Sequence, residues 1–178
     1  MEDRELILTG LGPSGKKVRV SQPAVPLPKL PNEVLWEVFS KRLEALGGRL
    51  GSMEDVQIFL SRPHYIDHES AAIFGVTPGG DPIWAVEVGI TMADLAIAET
   101  GSILIATGPG RPRLASLTPV VHVALVPKDR IVATLTEAFS QLSDRSTAMI
   151  TGPSRTADIE GILVRGVHGP GDVVVIPV

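Results

Sequence analysis

Two five-residue phrases hold the densest set of groups able to do chemistry. Thr107-Gly108-Pro109-Gly110-Arg111 and Thr151-Gly152-Pro153-Ser154-Arg155 share the formula T-G-P-(G/S)-R, and each follows an apolar run, SILIA in one case and TAMI in the other. Glycine permits close approach of a ligand to the backbone, and arginine presents a planar fork suited to carboxylate or phosphate. Gly108, Gly110 and Arg111 on one loop, and Gly152, Ser154, Arg155 and Thr156 on the other, are therefore the candidate anion-binding residues. Ser154 and Thr156 are also placed to cap a short helix over TADIE, whose N–H groups would add donors. In α/β sheets ligands bind at the carboxyl ends of strands, and two such loops meeting there would form a pocket for a small carboxylate or phosphate. The alternative is that Gly-Pro only turns the chain and the arginines pair with surface acids.

Single residues beside tight turns offer further chemistry. Glu99, in Ala98-Glu99-Thr100-Gly101 with Asp94 near in sequence, is a candidate base or nucleophile, or else a solvated turn residue or a partner for arginine. His168, in His168-Gly169-Pro170-Gly171-Asp172, is a candidate general acid or else a hydrogen-bonded structural histidine. His64, Asp67, His68 and Glu69 read H-x-x-D-H-E, but Pro63 precedes the first histidine and Asp67 has the look of a helix cap. Surface histidines explain them better than a metal centre. GLGPSG (10–15) imitates both a dinucleotide fingerprint and, with Lys16, the opening of a P-loop. Both need a helix directly after the loop, and KVRVSQPAVPLP supplies alternation and prolines instead.

Composition restricts the classes further. The chain has 178 residues and no cysteine, so disulfides, thiolate iron–sulfur ligation and a cysteine nucleophile are excluded within it. A net charge of −4 and 4% aromatics speak against nucleic acid, which asks for a basic face or stacking platforms. The apolar stretches fall well short of a membrane span, and MEDRELILTG lacks the apolar core of a secretory signal, so a soluble, cytoplasmic protein is expected.

The elements that must position these residues fall into an arm and a body. Residues 1–31 carry five of the fifteen prolines and a charge of +2 (5 basic minus 3 acidic), and read as an extended Pro-rich arm. Residues 32–178 form one α/β domain. NEVLWEVFSKRLEALGG predicts an amphipathic helix capped by Asn32 and stopped at Gly47 and Gly48. QIFLS (57–61) predicts a strand, DHESAAIF (67–74) a helix capped by Asp67, WAVEVGI (84–90) a strand and TMADLA (91–96) a helical turn. LAIAE (95–99) and SILIAT (102–107) predict a hairpin, VVHVALVP (120–127) a buried strand and DRIVATLTEAFSQL (129–142) a helix. TAMIT (147–151), ILVRG (162–166) and VVVIPV (173–178) predict further strands. Alternation of strands and helices implies a mostly parallel sheet with one antiparallel element.

The run GITMADLAIAETGSILIATGPGRPRLASLTPVVHVALVPKDRIV (89–132), followed by ITGPSRTADIEGILVRGVHGPGDVVVIPV (150–178), resembles the LUD-domain family, and within it the lactate utilization C group. The resemblance implies a three-layer α/β/α fold similar to the glucosamine-6-phosphate deaminase, ribose-5-phosphate isomerase and CoA-transferase group. It implies an accessory or substrate-binding part in a multi-protein system oxidising L-lactate to pyruvate, with partners of A and B type, the latter carrying the iron–sulfur clusters, and no cofactor in this chain. Members also tend to carry a longer segment before the equivalent of Trp84, so 48–83 looks short. In CoA-transferases of the related fold a Glu in an E-x-G turn is the nucleophile. Glu99-Thr100-Gly101 fits that pattern, which leaves a stand-alone transferase or sugar-phosphate enzyme as the alternative function.

Overall fold

Strands buried on both faces read as unbroken apolar runs, and three such runs make the centre of this molecule. The computed structural model describes residues 30–142, 145–157 and 163–178. In chain order the elements are α1 (Asn32–Ala45), β1 (Arg49–Leu50), α2 (Met53–Leu60), β2 (His64–Ile66), α3 (His68–Phe74), β3 (Gly79–Gly80), β4 (Val88–Met92), β5 (Leu95–Ile97) and β6 (Ser102–Ala106). A 3-10 turn (Arg113–Ser116), β7 (Val121–Val126), β8 (Ile131–Val132) and α4 (Leu135–Ser140) follow. The last elements are β9 (Thr147–Ile150), β10 (Arg155–Ala157), β11 (Leu163–Arg165) and β12 (Asp172–Pro177).

The main sheet has the strand order β1-β12-β7-β4-β2-β3, parallel throughout except for β3. Alternate residues face opposite ways along a strand. One face presents Ile90, Val123 and Val174 to Val56 and Phe59 of α2 and Ala71 of α3. The other presents Ala124, Val126 and Val175 to Leu35, Phe39 and Leu43 of α1. Helices on both faces give the α/β/α layering. A second sheet, β8-β5-β6-β9, packs against the α1 side through Ala96, Ile103 and Ile105, and its outer face is covered by α4 through Leu95, Leu104 and Ala138. The antiparallel content is therefore larger than one element: it comprises β3, the pairs β5–β6 and β6–β9, and the separate ribbon β10–β11.

The helix over NEVLWEVFSKRLEA forms as read, with Gly47 and Gly48 closing it through Gly47 N to Glu44 O (2.8 Å) and Gly48 N to Leu43 O (3.0 Å). Its cap position is Pro31, however. Asn32 is already helical, and its side chain donates to the Lys128 carbonyl alongside Trp36 Nε1. Asp67 caps α3 by accepting from Ser70 N at 2.7 Å. The hairpin of β5 and β6 is antiparallel around the turn at 98–101.

Five local readings are corrected. QIFLS is not a strand but the second half of α2: the Asp55 carboxylate accepts from Ser52 at the helix start, and Val56 and Phe59, three apart, are both buried. WAVEVGI pairs only from Val88 onward, and Trp84 lies 83% exposed. TMADLA is not a helical turn, because Thr91 and Met92 end β4 while Leu95 and Ala96 begin β5. DRIVATLTEAFSQL splits: Ile131 and Val132 pair with β5, and Thr134 then starts α4 by accepting from Glu137 N. Thr156 and Ala157 lie in a ribbon strand rather than a helix capped by Ser154, since they pair with Val164 and Leu163. The remainder of TADIE lies outside the described residues, as do GLGPSG and all of the Pro-rich arm before Leu30.

Candidate functional site

The carboxyl ends of β2 and β4 bring a set of charged groups together. Asp67 follows β2, and its Oδ2 accepts from Met92 N at the end of β4 (2.8 Å). Asp94 stands in the short link between β4 and β5. Arg111 reaches it from the first T-G-P loop with both ends of its fork, Nη1 to Oδ1 at 2.9 Å and Nη2 to Oδ2 at 2.8 Å. Ala106 N donates to Asp94 Oδ2 at 2.6 Å, and Arg111 Nη2 also donates to the Met92 carbonyl at 2.7 Å. Glu69, on α3, lies 3.5 Å from Arg111 Nη1.

Arg111 is only 6% exposed. Burial acts to lower its pKa, but the hydrogen bond and charge of Asp94, with Glu69 and Asp67 behind it, outweigh that and raise it, so the guanidinium stays charged. Its fork is occupied by Asp94. Arg111 thus fastens the loop to the sheet, and Arg145 Nη2 lies 3.5 Å from the same carboxylate at Asp94 Oδ1. The glycines of the loop make this arrangement possible. A Cβ on Gly108 would meet Arg145 Nη1 at 3.3 Å. Gly110 has φ +72°, and a Cβ there would meet the His68 ring at 2.7 Å.

The second T-G-P loop is elsewhere. β6 and β9 are antiparallel, with Ala106 opposite Thr147 and Ile103 opposite Ile150, so the loops after these strands leave opposite ends of the pair. The first loop meets α3 through His68 N to Gly110 O, beyond the carboxyl end of β2. The second meets the amino edge of the main sheet: Ser154 N donates to Pro170 O (2.8 Å), just before β12, and Gly152 packs on Leu46 at the end of α1. Arg155 donates to the Leu46 carbonyl and sits directly opposite Arg165 in the ribbon. The structure therefore brings Gly108, Gly110 and Arg111 together at one edge and Gly152, Ser154 and Arg155 at the other. Thr156 pairs with Val164 in the ribbon.

Glu99 is exposed, and its Oε2 accepts from Leu135 N at 2.9 Å, so this carboxylate holds the first turn of α4. His168 is exposed on the loop before β12. His64 lies in β2 and His68 opens α3, so the two share no helical face. Among the described residues no group of three or more His, Asp and Glu is arranged to hold a metal. No helix among them is long and apolar enough to cross a membrane.

Next to Asp94 a cavity of about 280 Å³ opens between the outer face of the second sheet and α4. Leu95 and Leu104 form its floor, and Arg130, Gln141, Arg145 and Thr147 its polar wall. On the main sheet His122 is fully buried, with Nε2 2.9 Å from Thr91 Oγ1 and Nδ1 without a partner among the described residues. Burial pushes its pKa down to about 4, so the ring is neutral at neutral pH.

Comparison with known proteins adds the relationship. The family model of the LUD domain matches residues 83–178, more than half of the chain. The chain belongs to the LUD domain family. Curated relatives include lactate utilization protein C of Anoxybacillus flavithermus, 36% identical over 113 residues (60% of this chain, 51% of the relative). The protein of that name from Macrococcus caseolyticus is 37% identical over 117 residues (59% of this chain, 51% of the relative). In Exiguobacterium sp. the figure is 42% over 93 residues (47% and 40%). The chain spans about half the length of the curated relatives it matches. Among solved structures, a DUF162 family protein from Deinococcus radiodurans superposes with a TM-score of 0.62 at 20% identity, covering 84% of this chain and 99% of that one, a likeness of fold.

Within the LUD domain span lie Asp94, Arg111, Arg130 and Arg145, while Asp67, which ties β2 to β4, precedes it. The sequence offered Arg111 as an anion ligand or as a partner for acids, and the structure pairs it with Asp94, whereas Arg130, Gln141, Arg145 and Thr147 escaped as one lining. Nothing in the sequence links Arg130 to Arg145, which reach the cavity from either side of α4.

Proposed function

We propose that this protein is an accessory or substrate-binding component of a multi-protein system that oxidises L-lactate to pyruvate, comparable to lactate utilization protein C. One observation carries the reading: relatives at 32% to 42% identity bear that name. One feature of the chain agrees with it. Oxidation of the lactate alcohol to a ketone needs an electron acceptor, and a chain without cysteine lacks the usual ligands of an iron–sulfur relay. The clusters accordingly belong to partners, an iron–sulfur protein of B type and a cysteine-rich one of A type, and this chain holds the acid or the assembly. Glu99 is spent as a cap on α4, and no observation favours it as a nucleophile.

The test is reconstitution. The three proteins are co-purified, and lactate-dependent dye reduction is measured with and without this subunit. Loss of activity on omission is expected, and equal activity in both cases overturns the proposal.

A further inference from the structure

The amino edge of the main sheet holds two positive charges that no acid answers. Arg155 and Arg165 stand directly opposite each other in the β10–β11 ribbon, a pairing in which like charges repel. Their side chains reach the same spot. A Cβ added to Gly47, at the end of α1, would meet Arg165 Nη2 at 2.6 Å and Arg155 Nη2 at 2.9 Å. The two Nη2 atoms are therefore no more than about 5.5 Å apart, the sum of those distances. Among the described residues no carboxylate lies within ion-pair distance of either guanidinium. Glu44, the acid nearest to Gly47 in sequence, accepts from Ser40 Oγ instead. Arg155 has one partner, the Leu46 carbonyl, to which its Nη2 donates. That carbonyl belongs to the end of α1, which offers roughly half a negative charge. Most of the two positive charges is left unmatched, in a chain whose net charge is −4. The ribbon itself has little else to hold it. Its strands are three residues each and largely exposed, and a two-stranded ribbon alone is marginal in water.

We infer that Arg155 and Arg165 together bind a phosphate-type dianion, free phosphate or a small phosphate monoester, and that the bound anion fastens the ribbon to the end of α1. The reach is right: one oxyanion accepting hydrogen bonds of about 2.8 Å from each Nη2 spans the gap. Donors are available as well, because the Arg165 fork and the Nε and Nη1 of Arg155 have no partner among the described residues. Charge and shape favour phosphate over a monocarboxylate. A phosphate monoester carries close to two negative charges at neutral pH and has three acceptor oxygens, so each planar fork can take its own oxygens. A carboxylate brings one charge and two oxygens to the same pair of cations. The site does not depend on the proposed function, since no residue of the Asp94 cluster or of the cavity beside it takes part.

The experiment is titration of the full chain with inorganic phosphate, phenyl phosphate and acetate at an ionic strength held constant with chloride. Calorimetry and backbone NMR shifts are read for the wild type, Arg155→Gln, Arg165→Gln and, as a control cation on α1, Lys41→Gln. All three substituted side chains are exposed, and matching amide spectra without ligand verify the fold. Phosphate or its monoester should bind once per chain and shift amides at 46–48 and in β10 and β11. Affinity should fall about tenfold or more in Arg155→Gln and in Arg165→Gln and hold in Lys41→Gln. Amide exchange in β10 and β11 should slow on saturation, and exchange untouched by bound phosphate overturns the fastening. Unchanged affinity in both ribbon variants overturns the location. Acetate bound as tightly as phosphate overturns the ligand class, and no binding of either phosphate probe overturns the inference outright.

Discussion

The two edges of the main sheet receive the same spelling and make opposite use of it. At the carboxyl edge, T-G-P-G-R ends in an arginine buried against Asp94 with both arms engaged. At the amino edge, T-G-P-S-R ends in an exposed arginine that donates to the end of α1 and faces a second arginine across a two-stranded ribbon. The backbones differ as well. Positive φ falls on the fourth residue, Gly110, in the first loop and on the second residue, Gly152, in the other, which is why serine is tolerated at 154. A repeated phrase after a strand therefore does not mark a repeated site. The strand direction before it decides where it points.

That contrast can be broken most sharply at Asp94. Asp94→Ala leaves the Arg111 guanidinium buried without its two-armed partner and with Glu69 at 3.5 Å, and a loss of about 3 kcal/mol is expected in urea unfolding. Replacing the pair by apolar residues, Asp94→Ala with Arg111→Met, should recover much of it, as a double-mutant cycle reads out.

The amino half has its own buried polar group, and pH separates it from the ion pair. His122 has a folded pKa of about 4 against an ordinary 6.5. Above pH 6.5 the ring is neutral in both states and its stability contribution is whole. Between 6.5 and 4 the unfolded chain takes up the proton first, so stability falls as pH falls, by about 3 kcal/mol in all. Unfolding curves at pH 7 and pH 4 should show that difference, reduced in His122→Gln.

Exchanging the two spellings tests the loops themselves. Gly110→Ser imposes a side chain at φ +72° against the His68 ring and should cost about 1–2 kcal/mol, whereas Ser154→Gly should cost less than about 0.5 kcal/mol. The smallest effect is expected for Arg155→Ala. An exposed cation at a helix end contributes about 0.3–1 kcal/mol, and thermal unfolding in low and high salt should show that contribution shrinking with salt.

Some of this arrangement is legible in the sequence. β7 and β12 announced themselves as apolar runs, α1 by its spacing and its paired glycines, and Asp67 as a cap. What escaped was set by pairing at a distance. β8 is two residues long and takes its identity from β5, so a periodicity reading extended α4 over it. α2 is eight residues of mixed β-type and helical character, settled by burial of Val56 and Phe59 against the sheet. The split of the two T-G-P loops depends on the antiparallel register of β6 and β9, which no local window contains. The same holds for the cavity, whose lining joins Arg130 and Arg145 from either side of α4.

The strand order has a consequence for how the chain comes to be folded. β12, late in the sequence, lies between β1 and β7, pairing Arg49 with Val174 on one side and Val121 with Asp172 on the other. On a ribosome, everything up to β11 emerges while a central slot of the sheet stands open, with two strand edges unpaired and apolar faces of α1 and α2 uncovered. Closing that slot joins residues about fifty positions apart on the β7 side and more than a hundred apart on the β1 side, which is slow for entropic reasons and leaves an adhesive edge in the meantime. Nascent chains halted before Asp172 should therefore depend on chaperones, and β12 acts as the keystone whose arrival joins β1 to the rest of the sheet.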